Sequence, residues 1–76
     1  MPHIVVQCPM LTREQRAAAV SGITEAFSRA TGIEASHVVV HVQEHSYDSI
    51  GVGGRLLSDL YPELQEKERR IRDGRA

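Results

Sequence analysis

"HIVVQC", residues 3–8, stands directly behind Met1 and Pro2. The run is short and rich in β-branched residues, which is the pattern of a strand. Side chains alternate across a strand, so Ile4, Val6 and Cys8 share one face and His3, Val5 and Gln7 the other. Pro9 has no N–H to give to a ladder and closes the run. In "LTREQ" (11–15), Thr12 is a good N-cap and Gln15, three positions on, completes a capping box. The helix is expected to run to about Ala30, with Ala19, Val20, Ile23, Ala26, Phe27 and Ala30 as its apolar stripe. Gly32 follows as its left-handed terminator. Gly22, inside it, costs about 1 kcal/mol against alanine. "HVVVHVQ" (37–43) reads as a second strand, with Val38, Val40 and Val42 on one face and His37, Val39, His41 and Gln43 on the other. Strand, helix and strand make a βαβ unit with parallel strands and a right-handed crossover, an α+β arrangement. Helix stripe and valine face then cover each other.

Beyond the second strand, "EHSYDSIGVGG" (44–54) reads as a loop with a Gly-rich end. It is not a phosphate cradle, because a Walker loop needs a lysine after its glycines and a strand just before them, and here Arg55 follows. The glycines let the backbone turn tightly against another chain. In the last segment, Leu57, Leu60, Leu64 and Ile71 recur at helical spacing, and Pro62 starts a final helix. The "KERR" run (67–70) reads as a solvated helix face, interleaved with Glu66 and Glu68.

Seventy-six residues are expected to form one domain. A chain this short buries only about 60 % of the surface that it exposes unfolded, so it is marginal alone. Cys8 is the only cysteine, so no disulfide within the chain can help. One βαβ unit also leaves its sheet edges open. Self-association is the remedy, and a homo-oligomer is expected, with a dimer favoured and a hexamer as the alternative. A net charge of −1 without long single-sign blocks speaks against nucleic acid as partner. No apolar run approaches the roughly 20 residues that span a bilayer, and no basic region opens the chain as in a signal peptide. A cytoplasmic protein without membrane partners is the expectation.

Candidate chemistry is sparse. His37, His41 and His45 stand four apart, which on a helix would make a metal face. On a strand that spacing is about 13 Å, too wide for ligands of one ion. No metal and no cofactor is expected. His41 points away from the helix, where only a substrate or another subunit could cover it. Cys8 faces the core and reads as a structural thiol. Arg13 and Arg16, on the polar side of the helix start, and Arg55 could bind an anionic substrate, or be solvated charge. Pro2 has two readings. It is a strand-leading proline, or, once Met1 is removed, a secondary amine held at a strand end. Partial burial disfavours the charged form of such an amine, which would poise it as a general base and acid. The residues alone leave both open.

Taken together, Pro2 behind Met1, the strand, the capped helix, the valine-rich strand and "IGVGG" (50–54) resemble the 4-oxalocrotonate tautomerase family of the tautomerase superfamily. The likeness covers residues 2 to about 60. The "MPHI…C" opening, the length and the Pro62-led helix look more like its small dimeric phenylpyruvate-type branch. The resemblance implies a βαβ fold completed to a four-stranded sheet in a dimer. It also implies loss of Met1, with Pro2 shuttling a proton between oxygen and carbon of a 2-keto acid enol. Well-known members carry an arginine in the loop after strand one, another on strand two, and an aromatic just before the Gly-rich motif. Those places hold Leu11, Val39 and Ile50 here, and none can bind a carboxylate. Ile50 then lines the substrate's place, and the cation must be Arg13, Arg55 or His41. The alternatives are a hydratase or dehalogenase of an unsaturated acid that uses protonated Pro2, or a non-catalytic oligomeric interaction subunit.

Overall fold

The structure is a computed structural model and describes residues 1–75. Strand β1 (His3–Pro9) leads into helix α1 (Arg13–Thr31), and strand β2 (Val39–His45) returns beside β1. A hairpin of β3 (Gly51–Val52) and β4 (Arg55–Leu56), a single turn α2 (Leu57–Leu60) and helix α3 (Pro62–Arg75) follow. β1 and β2 are parallel neighbours, with His3 opposite Val39, Val5 opposite His41 and Pro9 opposite His45. The expected βαβ unit and C-terminal helix are both present.

Local chemistry sets the limits of α1. Thr12 Oγ1 accepts from the Gln15 N–H at 3.1 Å, and Gln15 Oε1 accepts from the Thr12 N–H at 2.9 Å, so the capping box is closed both ways. At the other end Gly32 takes φ 76°, and its N–H reaches the Ser28 carbonyl at 2.8 Å. A side chain there would clash in the left-handed conformation, which is why the stop is a glycine. Ala19, Val20, Ile23 and Phe27 lie against the sheet, but Ala26 and Ala30 are exposed. The apolar stripe is therefore narrower than its spacing implied. Arg16 corrects the reading of a polar helix start: it is half-buried, with Nη1 4.0 Å from Glu44 Oε1.

Two further readings change. The second strand begins two residues late, at Val39, because Ala35–His37 closes a 3-10 turn in which the Val38 N–H bonds the Ala35 carbonyl at 3.1 Å. His37 belongs to that turn and not to the strand. The Gly-rich stretch is a β-hairpin rather than an open loop. Gly53 and Gly54 take φ 60° and 85°, the paired left-handed conformation of a tight two-residue hairpin turn.

The "KERR" run is not wholly solvated either. Glu68, within it, is only 2 % exposed and is the one fully buried residue among those described. Its carboxylate accepts from Ser46 Oγ at 2.8 Å and from the Tyr47 N–H at 2.9 Å. The Gln65 side-chain amide donates to Asp48 at 3.0 Å. These bonds clamp α3 onto the turn Tyr47–Ser49 that leaves β2. Leu64 and Ile71 are half-buried on the same side of α3. Among the described residues no apolar side chain is fully buried. Removing the Glu68 carboxylate leaves two donors short of a partner, at about 1–3 kcal/mol in total. Glu68→Ala is thus expected to lower the thermal unfolding midpoint clearly, while Glu66→Ala, which removes only solvent-facing pairs with Arg69 and Arg70, leaves it nearly unchanged. Equal midpoints for the two variants would contradict the clamp.

Candidate functional site

Pro2 sits half-buried at the entrance to β1, with Met1 83 % exposed in front of it. The Pro2 carbonyl accepts from the Val39 N–H at 2.9 Å. That bond fixes the first residue of β2 beside the start of the chain. Val39 thus holds Pro2 through its backbone, whatever its side chain lacks.

One residue on, His3 projects from the sheet face that α1 does not cover. The register sets His41 diagonally across from it. His3 Nδ1 lies 2.9 Å from His41 Nε2, and the rings are stacked with centroids 5.2 Å apart and 18° between their planes. His41 was expected on this face. His3 was expected on this face too, but not as its partner. A strand register would have revealed the pair, because two histidines two rungs apart on one face of neighbouring strands are within reach of each other.

The remaining candidates are elsewhere. Each strand is seven residues long, so its ends are about 20 Å apart. Arg13 opens α1 at the far end, in a cleft of about 730 Å³ shared with Arg16, Arg70 and Arg75. Ile50 is half-buried in a cavity of about 560 Å³ at the same end, together with Cys8, Pro9, His45, Tyr47 and Leu57. Arg55 is exposed on β4 of the adjoining hairpin. Cys8 is half-buried and lines this cavity. Within one chain, then, Pro2, His3, Val39 and His41 come together, whereas Leu11, Arg13, Ile50 and Arg55 lie apart from them on separate elements.

That far end is organised by a carboxylate. Glu44 accepts from the Leu11 N–H at 2.7 Å and from Arg75 Nη2 at 2.8 Å (Oε1) and 2.7 Å (Oε2). The Arg75 hydrogen bonds, helped by the Leu11 N–H and by the Arg75 and Arg16 charges, hold its carboxyl below the ordinary glutamate value of 4.5, against the opposing pull of burial. Glu44 so ties the β1–α1 loop, β2 and the end of α3 together. No sequence spacing announces these partners.

The likeness of the chain to known proteins bears on its family and its fold. The family model described as "Tautomerase enzyme" matches residues 2–60. The chain is 39 % identical over 62 residues to a "Probable tautomerase" of Bacillus cereus, covering 78 % of this chain and 98 % of that protein. A protein of Bacillus anthracis matches to the same extent. Among solved structures, YwhB, a homologue of 4-oxalocrotonate tautomerase, superposes with a TM-score of 0.72 at 34 % identity, over 76 % of this chain and 97 % of that one. TomN, a 4-oxalocrotonate tautomerase homologue in the tomaymycin biosynthetic pathway, gives a TM-score of 0.76 at 26 % identity, over 80 % and 95 %. The chain belongs to the tautomerase family, and its βαβ fold is that of the 4-oxalocrotonate tautomerase homologues. An isomerase-type activity on a small molecule goes with that family.

A depressed carboxyl stabilises the fold above its unfolded value and loses the effect as pH falls through its folded value. Glu44→Gln is therefore expected to cost on the order of 1 kcal/mol at neutral pH. The deficit should shrink as pH drops from about 4.5. Urea midpoints of both proteins at pH 7 and pH 3 check this; an equal deficit at both pH values would contradict it.

Proposed function

We propose that the mature chain begins at Pro2 and that its secondary amine ketonises aryl or alkyl enols of simple 2-keto acids, such as phenylenolpyruvate. The observation that carries this reading is the anchoring of Pro2. Its carbonyl is bonded to Val39, so the nitrogen lies at a fixed strand end and not on a loose tail. The neutral amine takes the enol O–H proton as the carbonyl forms. The resulting ammonium returns a proton to the carbon that receives the C=C electron pair. One group thus serves as base and then as acid. The proline ring fixes the direction of the lone pair, which a flexible lysine would not.

The site reaches its full complement only in an oligomer. Pro2 and Ile50 lie at opposite ends of the strands. A second copy, related by a twofold axis and paired edge to edge, runs antiparallel to the first. Its Ile50 end then stands beside the Pro2 of the first copy, and the sheet has four strands. A dimer of this kind is the proposed unit, with a hexamer as a higher assembly. Among the described residues no helix is long and apolar enough to cross a membrane, and the cytoplasm is the proposed place of work.

Acetylation of the amine, or a form that retains Met1 as judged by intact mass, tests the mechanism. Loss of a positioned general base costs about 10²- to 10⁴-fold, so either block should remove nearly all ketonisation followed in the ultraviolet. Pro2→Ala keeps a primary amine and should retain part of the rate. An unchanged rate after blocking would reduce Pro2 to a strand-leading proline and favour a non-catalytic oligomeric subunit.

A further inference from the structure

We infer that the His3–His41 pair acts as one unit, an imidazole–imidazolium anchor for the carboxylate of the substrate. The inference rests on the tautomerase reading of Pro2 and adds to it the group that holds the acid. The contact of 2.9 Å between His3 Nδ1 and His41 Nε2 needs one proton between the two nitrogens. In the neutral pair, one outer nitrogen carries hydrogen and the other is bare. With one further proton the pair is cationic, the central hydrogen bond is kept, and His3 Nε2 and His41 Nδ1 both carry N–H. Either then gives a charge-assisted hydrogen bond to a carboxylate.

Position and surroundings favour an anion here. The strand face around the pair carries Val5, Gln7, Val39 and Gln43 and no acidic side chain. Both histidines are exposed and so open to a ligand. Val5, 52 % exposed beside them, offers an apolar patch for an aryl or alkyl group. His3 is bonded to Pro2, one Cα step of about 3.8 Å away. In an enol of a 2-keto acid, the carboxylate carbon is two bonds, about 2.5 Å, from the carbon that takes the proton. The pair thus stands on the residue next to the amine, as so small an acid requires. Arg13 and Arg55, the other cations considered, are on elements at the far end of the strands.

Two measurements separate this inference from the reading on which it rests. The first needs no turnover. Imidazole NMR signals of His3 and His41 are followed while the oligomer is titrated with 3-phenylpropanoate and, separately, with its methyl ester. The acid should move both rings together and the ester should not. His3→Gln and His41→Gln should each weaken acid binding by about tenfold, and the double variant should be no weaker than either single one. The second is kinetic: with phenylenolpyruvate, each variant should raise KM about tenfold and leave kcat nearly unchanged. Circular dichroism of the variants checks that these exposed substitutions leave the fold intact. Acid binding that ignores both substitutions, or acid and ester bound alike, would overturn the anchor. Binding as expected with no ketonisation by the free amine would leave the anchor standing and overturn the tautomerase reading instead.

Discussion

Two parallel strands and one helix give this chain a sheet with an uncovered face and two open edges, and every other feature of the molecule answers to that shortage of cover. Parallel strands are normally buried on both faces. Here α1 covers one face of β1 and β2, and the opposite face shows His3, Val5 and His41 to solvent. No described apolar side chain is fully buried. The fold therefore leans on polar clamps. Glu68 holds α3 to the turn after β2, and Glu44 holds Leu11, Arg16 and Arg75 in one cluster. Both are carboxylates largely withdrawn from solvent, in a chain with little apolar core to spare.

The same shortage shapes the proposed chemistry. A reagent at the first residue of a strand needs a fixed chain end, and the Val39 bond to the Pro2 carbonyl supplies it. It also needs walls, and one chain gives few. The cavity around Ile50 and the amine lie at opposite ends of the same strands. The proposed antiparallel pairing of two copies would join them and would close an open edge of each sheet as well. In that proposed dimer the His3–His41 face would stay free for a carboxylate.

The legible parts of the sequence were those decided within a few residues. Thr12 and Gln15 announce the helix start, Gly32 its stop and Pro62 the last helix, because each effect is local. The alternation of β1 is carried by every residue of the strand. The start of β2 was misplaced because "HVVV" has strand character throughout, and nothing in it marks the 3-10 turn that takes His37. The hairpin was passed over because two-residue strands have no period to detect, although Gly53–Gly54 was its signal. Glu68 and Arg16 were missed for a deeper reason. A charged residue on a helix looks solvated until its partner is known, and Ser46, Tyr47 and Glu44 are distant in sequence. His3 was hidden in the same way, since its partner is set by register alone. The Pro2 amine was legible only as one of two readings until the resemblance of the whole chain favoured one.

The central claim is that the functional unit is a pair of chains sharing one sheet. Sedimentation velocity of the untagged protein, run from low micromolar concentration upward, tests it most directly. The account predicts a species of at least twice the chain mass throughout that range, with no folded monomer at its lower end. A stable, fully folded monomer at micromolar concentration would contradict it.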